Sequence, residues 1–295
     1  MKKIFTLLLV LIVVDGSSQS YTLAYFKGHV EVLNGTVWEP LKNISTVVSK
    51  SQTIKVGDKS EAIFTDAQKQ TIYLSKPGTY PVVDFPKYIT SKAKVSLSAY
   101  YMNYIAHQIT HTETNPEKNY KEQLKNKGGV SRAHAGVCLL GPVNTTAVID
   151  SEIAFLWKNV SSDNYTLLIY DDEEKTSVKI SETVKDTFFM LNRFTHRLEH
   201  GKTYYWTITS PAIRPCETFS FTILSKDLER KAKADLRKLQ ASTEFTGAMK
   251  EAVIGKFFEE KGLYENARRC YLKASALEPE SETFSLLLQQ IAAKP

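Results

Sequence analysis

At Ser225 the spacing of apolar residues changes for the rest of the chain. Before it, most apolar residues alternate with polar ones in short runs such as "VEVLNGTVW" (30–38), "QTIKV" (52–56) and "TFSFTIL" (218–224). After it they recur every three or four residues, as in Leu228, Ala232, Leu236 and Leu239. Period two is the mark of half-buried strands and period 3.6 that of amphipathic helices. A 295-residue chain also exceeds one average domain of about 100–200 residues. The expected fold class is therefore multidomain β + α, with two strand-built units ahead of a helical tail.

The first strand-built unit covers residues 21–93. Asn34-Gly35 marks a two-residue hairpin, and "EAIFTD" and "QTIYL" supply further strands before Pro77-Gly78, Pro81 and Pro86 close the unit. Residues 94–134 interrupt the strands. Val95, Leu97, Tyr101, Tyr104, Ile105, Gln108 and Ile109 share one broad helical face, and "THTETNPEKNYKEQLKNKGG" (110–129) reads as a polar linker. The second unit spans 135–224, with six or seven strands separated by turns. From 225 to 295 the chain is helical, and Ser225 stands where an N-cap belongs.

Lys2, Lys3, the apolar run Leu7–Val14 and small residues at Ser18 and Ser20 describe a signal peptide over residues 1–20. The apolar run is shorter than the ~20 residues a bilayer core requires. Export would place the chain in the periplasm or at the cell surface, with no transmembrane segment in the mature form. Cleavage takes two lysines and Asp15 from 38 basic and 32 acidic side chains, leaving +5. That mild charge, spread along the chain, argues against a nucleic-acid partner. The five Asn-x-Ser/Thr sequons (Asn34, Asn43, Asn144, Asn159, Asn164) would be glycosylated only in a eukaryotic secretory pathway.

Three resemblances follow from residue order. Gly28-x-Val30, Trp38-x-x-Leu41, Ile54-x-x-Gly57-x-x-Ser60-x-Ala62 and Leu74 resemble a FecR-type periplasmic β-domain, with Lys55-Val56-Gly57 in place of the usual Thr-Gly approach. Pro142, Phe155-x-Trp157, Tyr165-x-Leu167-x-Ile169-x-Asp171 and Leu198-x-x-Gly201-x-x-Tyr204-x-Trp206 resemble an Ig-like, fibronectin-III-like sandwich. "AMKEAVIGKFFEEKGLYENARRCYLKASALEP" (248–279) is similar to one tetratricopeptide repeat, closed by a helix over 282–293. Gly255, Ala267 and Ala274 let its two helices approach, and Phe258 and Tyr271 fill the space between them. Glu251 departs from the pattern, and its charge predicts thin burial at the start of the first helix.

The sandwich resemblance implies that Cys138 and Cys216 lie on neighbouring strands and form a disulfide, with Cys270 a buried thiol. Three unpaired buried cysteines are the alternative. The repeat resemblance implies a groove lined by Met249, Ala252, Lys256, Glu259 and Glu260. One repeat cannot bury its own faces, so this groove must pack on the chain itself, on a second copy or on another protein.

Motifs for catalysis do not appear. "HQITH" (107–111) sets two histidines four apart, but Gln108 stands where a zinc protease needs a glutamate base, and no third ligand follows. Its residues read as two solvated histidines at a helix end, with a casual metal site as the alternative. Asp171–Glu174 reads as a solvated hairpin tip and lacks the glycine and terminal glutamate of a calcium loop. His196 and His200 read as surface residues. No catalytic residue, metal or cofactor is expected. The expected role is a non-catalytic scaffold or adaptor binding other envelope proteins, with a homo-oligomer through the helical tail left open. A sensor binding a small ligand or cell-wall fragment is the alternative.

Overall fold

The computed structural model describes residues 20–68, 70–89, 96–111, 138–159, 164–211, 216–292 and 294. The signal-peptide reading up to Gln19, Val95, and the linker from 112 lie outside them. The architecture is mixed: sheets make the N-terminal and central regions, and helices make the C-terminal region.

The N-terminal unit has strands β1 (Ser20–Lys27), β2 (Val30–Asn34), β3 (Val37–Pro40), β4 (Val47–Ser49), β5 (Thr53–Val56), β6 (Glu61–Asp66), β7 (Thr71–Leu74) and β8 (Gly78–Pro81). They form two four-stranded antiparallel sheets, ordered β4-β1-β6-β7 and β3-β2-β5-β8. A 3-10 helix, Val82–Tyr88, closes the unit. Asn34 pairs with Val37, so the hairpin turn is Gly35-Thr36, one residue later than the Asn-Gly signal suggests. Gly35 has φ +62°, which suits the first central position of a type II′ turn. Ser60 accepts the His29 N–H at 2.8 Å, and its Oγ would lie 2.4 Å from any Cβ at Gly28. A bulge between Leu23 and Tyr25 turns Ala24 and Tyr25 away from the inter-sheet core. The β4-β1-β6-β7 sheet is thus covered on both faces, which is why β6 is buried at five consecutive residues instead of alternating.

Helix α1 (Leu97–His111) follows. The central unit then contributes β9 (Leu139–Gly141), β10 (Thr146–Val148), β11 (Glu152–Trp157), β12 (Tyr165–Tyr170), β13 (Val178–Val184), β14 (Phe188–Asn192), β15 (Thr203–Thr209) and β16 (Phe219–Ile223). A five-stranded sheet, β10-β16-β15-β12-β13, faces a three-stranded one, β14-β11-β9. β10 and β16 run parallel; the other pairs are antiparallel. Phe155 and Trp206 meet edge-on at 5.0 Å in the inter-sheet core. Tyr204 folds back so that its hydroxyl accepts the Glu199 N–H at 2.8 Å.

Cys138 and Cys216 are joined as a disulfide with Cα atoms 6.0 Å apart. They are not on neighbouring strands: Cys138 precedes β9 in one sheet and Cys216 precedes β16 in the other, so the bridge ties the two sheets together. On loop entropy, closing 78 residues stabilises by about 4 kcal/mol. Alkylation followed by intact-mass measurement should find one free thiol, the buried Cys270; three would contradict the bridge.

The tail consists of α2 (Lys226–Ala241), α3 (Gly247–Glu260), α4 (Tyr264–Leu277) and α5 (Glu282–Ala292). Ser225 caps α2, its side chain accepting the Leu228 N–H. The buried stripe of α2 is Glu229, Ala232 and Leu239, with Leu236 packed beside it, and Leu228 is 57% exposed. The inward face begins one residue later than apolar spacing predicts, because Glu229 is drawn in by Arg193 at 2.9 Å. α3 and α4 form the repeat-like hairpin. The thin burial expected near Glu251 is not found: Ala248, Met249, Ala252 and Val253 are all buried, because α1, α2 and α4 surround α3.

One continuous core joins the tail to α1 and to both β-units. Toward the N-terminal unit, Thr283 donates to the Ala24 carbonyl at 2.9 Å, Phe284 packs on Tyr25, and the Tyr25 hydroxyl bonds Glu278 at 2.9 Å. Toward the central unit, Ala147 N–H donates to Gly262 O at 2.8 Å, and Asp150 accepts from Asn266 and Arg269.

Candidate functional site

α1 lies across α3, and the two helices leave a cleft of about 790 Å³, within the size range of small-ligand sites. Tyr100, Asn103, Tyr104, His107 and Gln108 face it from α1, a stripe repeating every three or four residues. Lys256, Glu259 and Glu260 face it from α3 at the same spacing, and Lys294 stands at one end.

The floor is a buried polar network. Lys256 and Glu259 are paired at 3.1 Å with side chains 5% and 6% exposed. The Lys256 ammonium also donates to Gln108 and lies 4.6 Å from the Tyr104 ring centroid. Glu259 accepts the Tyr271 hydroxyl at 2.7 Å and has Lys294 at 3.7 Å. Burial lowers the Lys256 pKa, and Glu259 works against that shift. Burial, then Glu259, pushes the Tyr271 phenol well up. Such a network rigidifies a site because leaving any member unpaired is costly.

The rim differs. Glu260 is exposed and accepts Tyr101 at 2.7 Å and Tyr100 at 3.2 Å. Tyr100 and Tyr104 are 46% and 49% exposed. Aromatic faces beside a carboxylate and the Asn103 amide make a surface suited to recognition. Lys256, tied into three contacts, is held as a structural cation.

Of the five residues expected to line an open groove, Met249 and Ala252 are sealed beneath neighbouring helices, Lys256 and Glu259 form the cleft floor, and only Glu260 reaches the surface. The concave side is filled by α1 of the same chain, whose Tyr101 packs edge-on against Phe257 at 5.7 Å. Tyr104, expected on the buried face of α1, is at the rim. Its stripe (100, 103, 104, 107) had the right spacing to be noticed, but nothing local tells a helix which neighbour leaves that stripe uncovered. His107 lines the cleft, while the side chain of His111 lies outside the described residues. Among the described residues no three His, Cys, Asp or Glu side chains converge as metal ligands. Dialysed protein is expected to hold no stoichiometric zinc; zinc lost on changing His107 and His111 to Ala would contradict this.

Among the described residues no helix is long and apolar enough to cross a membrane. No protein-family model matches the chain, and a search of curated proteins finds no match.

Proposed function

We propose that the chain is a non-catalytic, exported scaffold or adaptor of the bacterial cell envelope that binds another protein at the α1–α3 cleft. The observation carrying this reading is the split between a sealed floor and an open aromatic rim: Tyr100, Tyr104 and Glu260 remain exposed where the rest of the groove is filled. Tyrosines with few rotatable bonds and a polar tip are common anchors in protein interfaces. The module readings are supported by particular contacts. Ser60 locking the Gly28-His29 turn fits the FecR-like motif. The Tyr204 hydroxyl bonded back to Glu199, with β10 parallel to β16, fits an Ig-like sandwich. Gly255 against Tyr271 fits a tetratricopeptide hairpin.

The size of the cleft and its convergent Asn103 and Glu260 favour a second reading, an envelope sensor for a small ligand or cell-wall fragment. One variant separates the two. Tyr100→Ala with Tyr104→Ala should cut partner capture from an envelope extract about tenfold while changing stability by less than about 1 kcal/mol. Undiminished capture would remove the cleft from the adaptor reading. A low-mass compound retained by the parent in native mass spectrometry, and lost from the double variant, would favour the sensor.

A further inference from the structure

Away from the cleft, one face of α2 carries four cations. Lys226, Arg230, Lys233 and Arg237 are spaced four, three and four residues apart, which places them on one side of the helix over about 16 Å. All four are exposed. They line a hollow of about 370 Å³ whose opposite wall is His200, at the corner before β15.

The acids around this hollow do not balance it. Glu229 lies within it, but the buried Arg193 guanidinium faces that carboxylate at 2.9 Å, so the pair contributes no net charge. Lys233 leans on the same carboxylate at 2.5 Å, and His200 stands 3.3 Å from it. Asp227 offsets Arg230 alone, in a fully solvated pair at 3.0 Å. Glu199, beside His200 in sequence, has Lys179 at 3.8 Å. Among the described residues no ion pair holds Lys226 or Arg237. Among the described residues, with Glu229 matched by Arg193 and Glu199 by Lys179, Asp227 is the carboxylate left to set against the four cations.

A solvated cationic face is common on helices; this one borders a shallow, open hollow against the sandwich corner. A hollow between a helix and a sandwich corner suits a chain laid along the helix better than it suits a flat bilayer. Successive cations stand about 4.5–6 Å apart along the axis, a repeat that an extended chain with one charge per unit can follow. Two of the four are guanidinium forks, which hold phosphate oxygens in pairs. We propose that this stripe binds an extended phosphodiester polyanion through its backbone charges. It is independent of the α1–α3 cleft.

Fluorescence anisotropy with a labelled abasic deoxyribose-phosphate oligomer of about a dozen phosphates tests this on the mature chain. Lys226, Arg230 and Arg237 are changed together to Ala, and Lys233 is kept because it pairs with Glu229. The parent should bind at low salt. The triple variant should bind at least about tenfold more weakly, and its slope of log affinity on log salt should be shallower by about 2. Its melting temperature should be unchanged, since the three side chains are exposed. No binding by the parent, or an unchanged slope in the variant, would overturn the proposal. Much tighter binding of an oligothymidylate would make the bases the determinant and overturn it too. So would capture by anionic phospholipid vesicles that depends on these three residues while the abasic oligomer fails to bind.

Discussion

Gly255→Val is expected to destabilise the chain severely. A Cβ at this position would lie 2.5 and 2.7 Å from two carbons of the Tyr271 ring and 3.2 Å from the Cys270 Cβ. Real Cβ atoms essentially never lie under 3.0 Å from such a neighbour, so the ring would have to move. It has nowhere to go: Tyr271 is fully buried, and its hydroxyl is held by Glu259, which is itself paired with Lys256. Displacing the ring would separate α3 from α4 and open the polar floor of the cleft at the same time. Overpacking alone costs about 1–3 kcal/mol, and a buried carboxylate stripped of a donor adds a comparable amount. Denaturant unfolding should therefore show a loss of at least about 3 kcal/mol. A loss below about 1 kcal/mol would mean that Tyr271 can swing aside and that the close helix approach is not needed.

The second large effect is expected at Glu229, where the tail meets the central sandwich. Arg193 is 2% exposed, and its Nη2 donates to both Glu229 oxygens, at 3.1 and 2.9 Å. Among the described residues its Nε and Nη1 find no hydrogen-bond partner. Glu229→Ala would strand a buried cation and should cost about 3–5 kcal/mol. Replacing both residues together, Arg193→Met with Glu229→Leu, should recover most of that loss, because a buried pair is worth little more than well-packed apolar residues of its volume. If the double change were as damaging as the single one, the stranded charge would not be the cause.

The same pair gives a pH signature. Burial opposes ionisation of Glu229, yet hydrogen bonds from Lys233 and Arg193 hold its pKa below the ordinary 4.5. A carboxylate whose pKa falls on folding adds stability that is present above the unfolded value and lost as pH drops through the folded value. Stability of the parent should decline below pH 4.5 more steeply than that of Glu229→Gln.

Much of the architecture was legible in the residues because it rests on neighbours in sequence. Alternation placed the strands, and the glycine at position 35 marked a hairpin even though its turn sits one residue along. Ser225 announced α2, and Gly255, Ala267 and Ala274 announced two helices in close contact. Each of these signals concerns a turn, a cap or a pair of adjacent elements, so the sequence by itself could determine it. Tertiary structure alone decided what covers each face. Residues 95–109 carried an apolar helix face, and the repeat resemblance implied a groove lined from Met249 to Glu260, but neither stretch encodes that the one fills the other. Hence Met249 and Ala252 are core, and Tyr100 and Tyr104 become a rim. Glu229 turns inward against its own hydropathy because Arg193, 36 residues away, is buried opposite it. A charge or an aromatic ring has the same identity wherever it lies; burial and an opposing partner are properties of distant chain brought together, and these determine whether it is a floor, a lock or a surface.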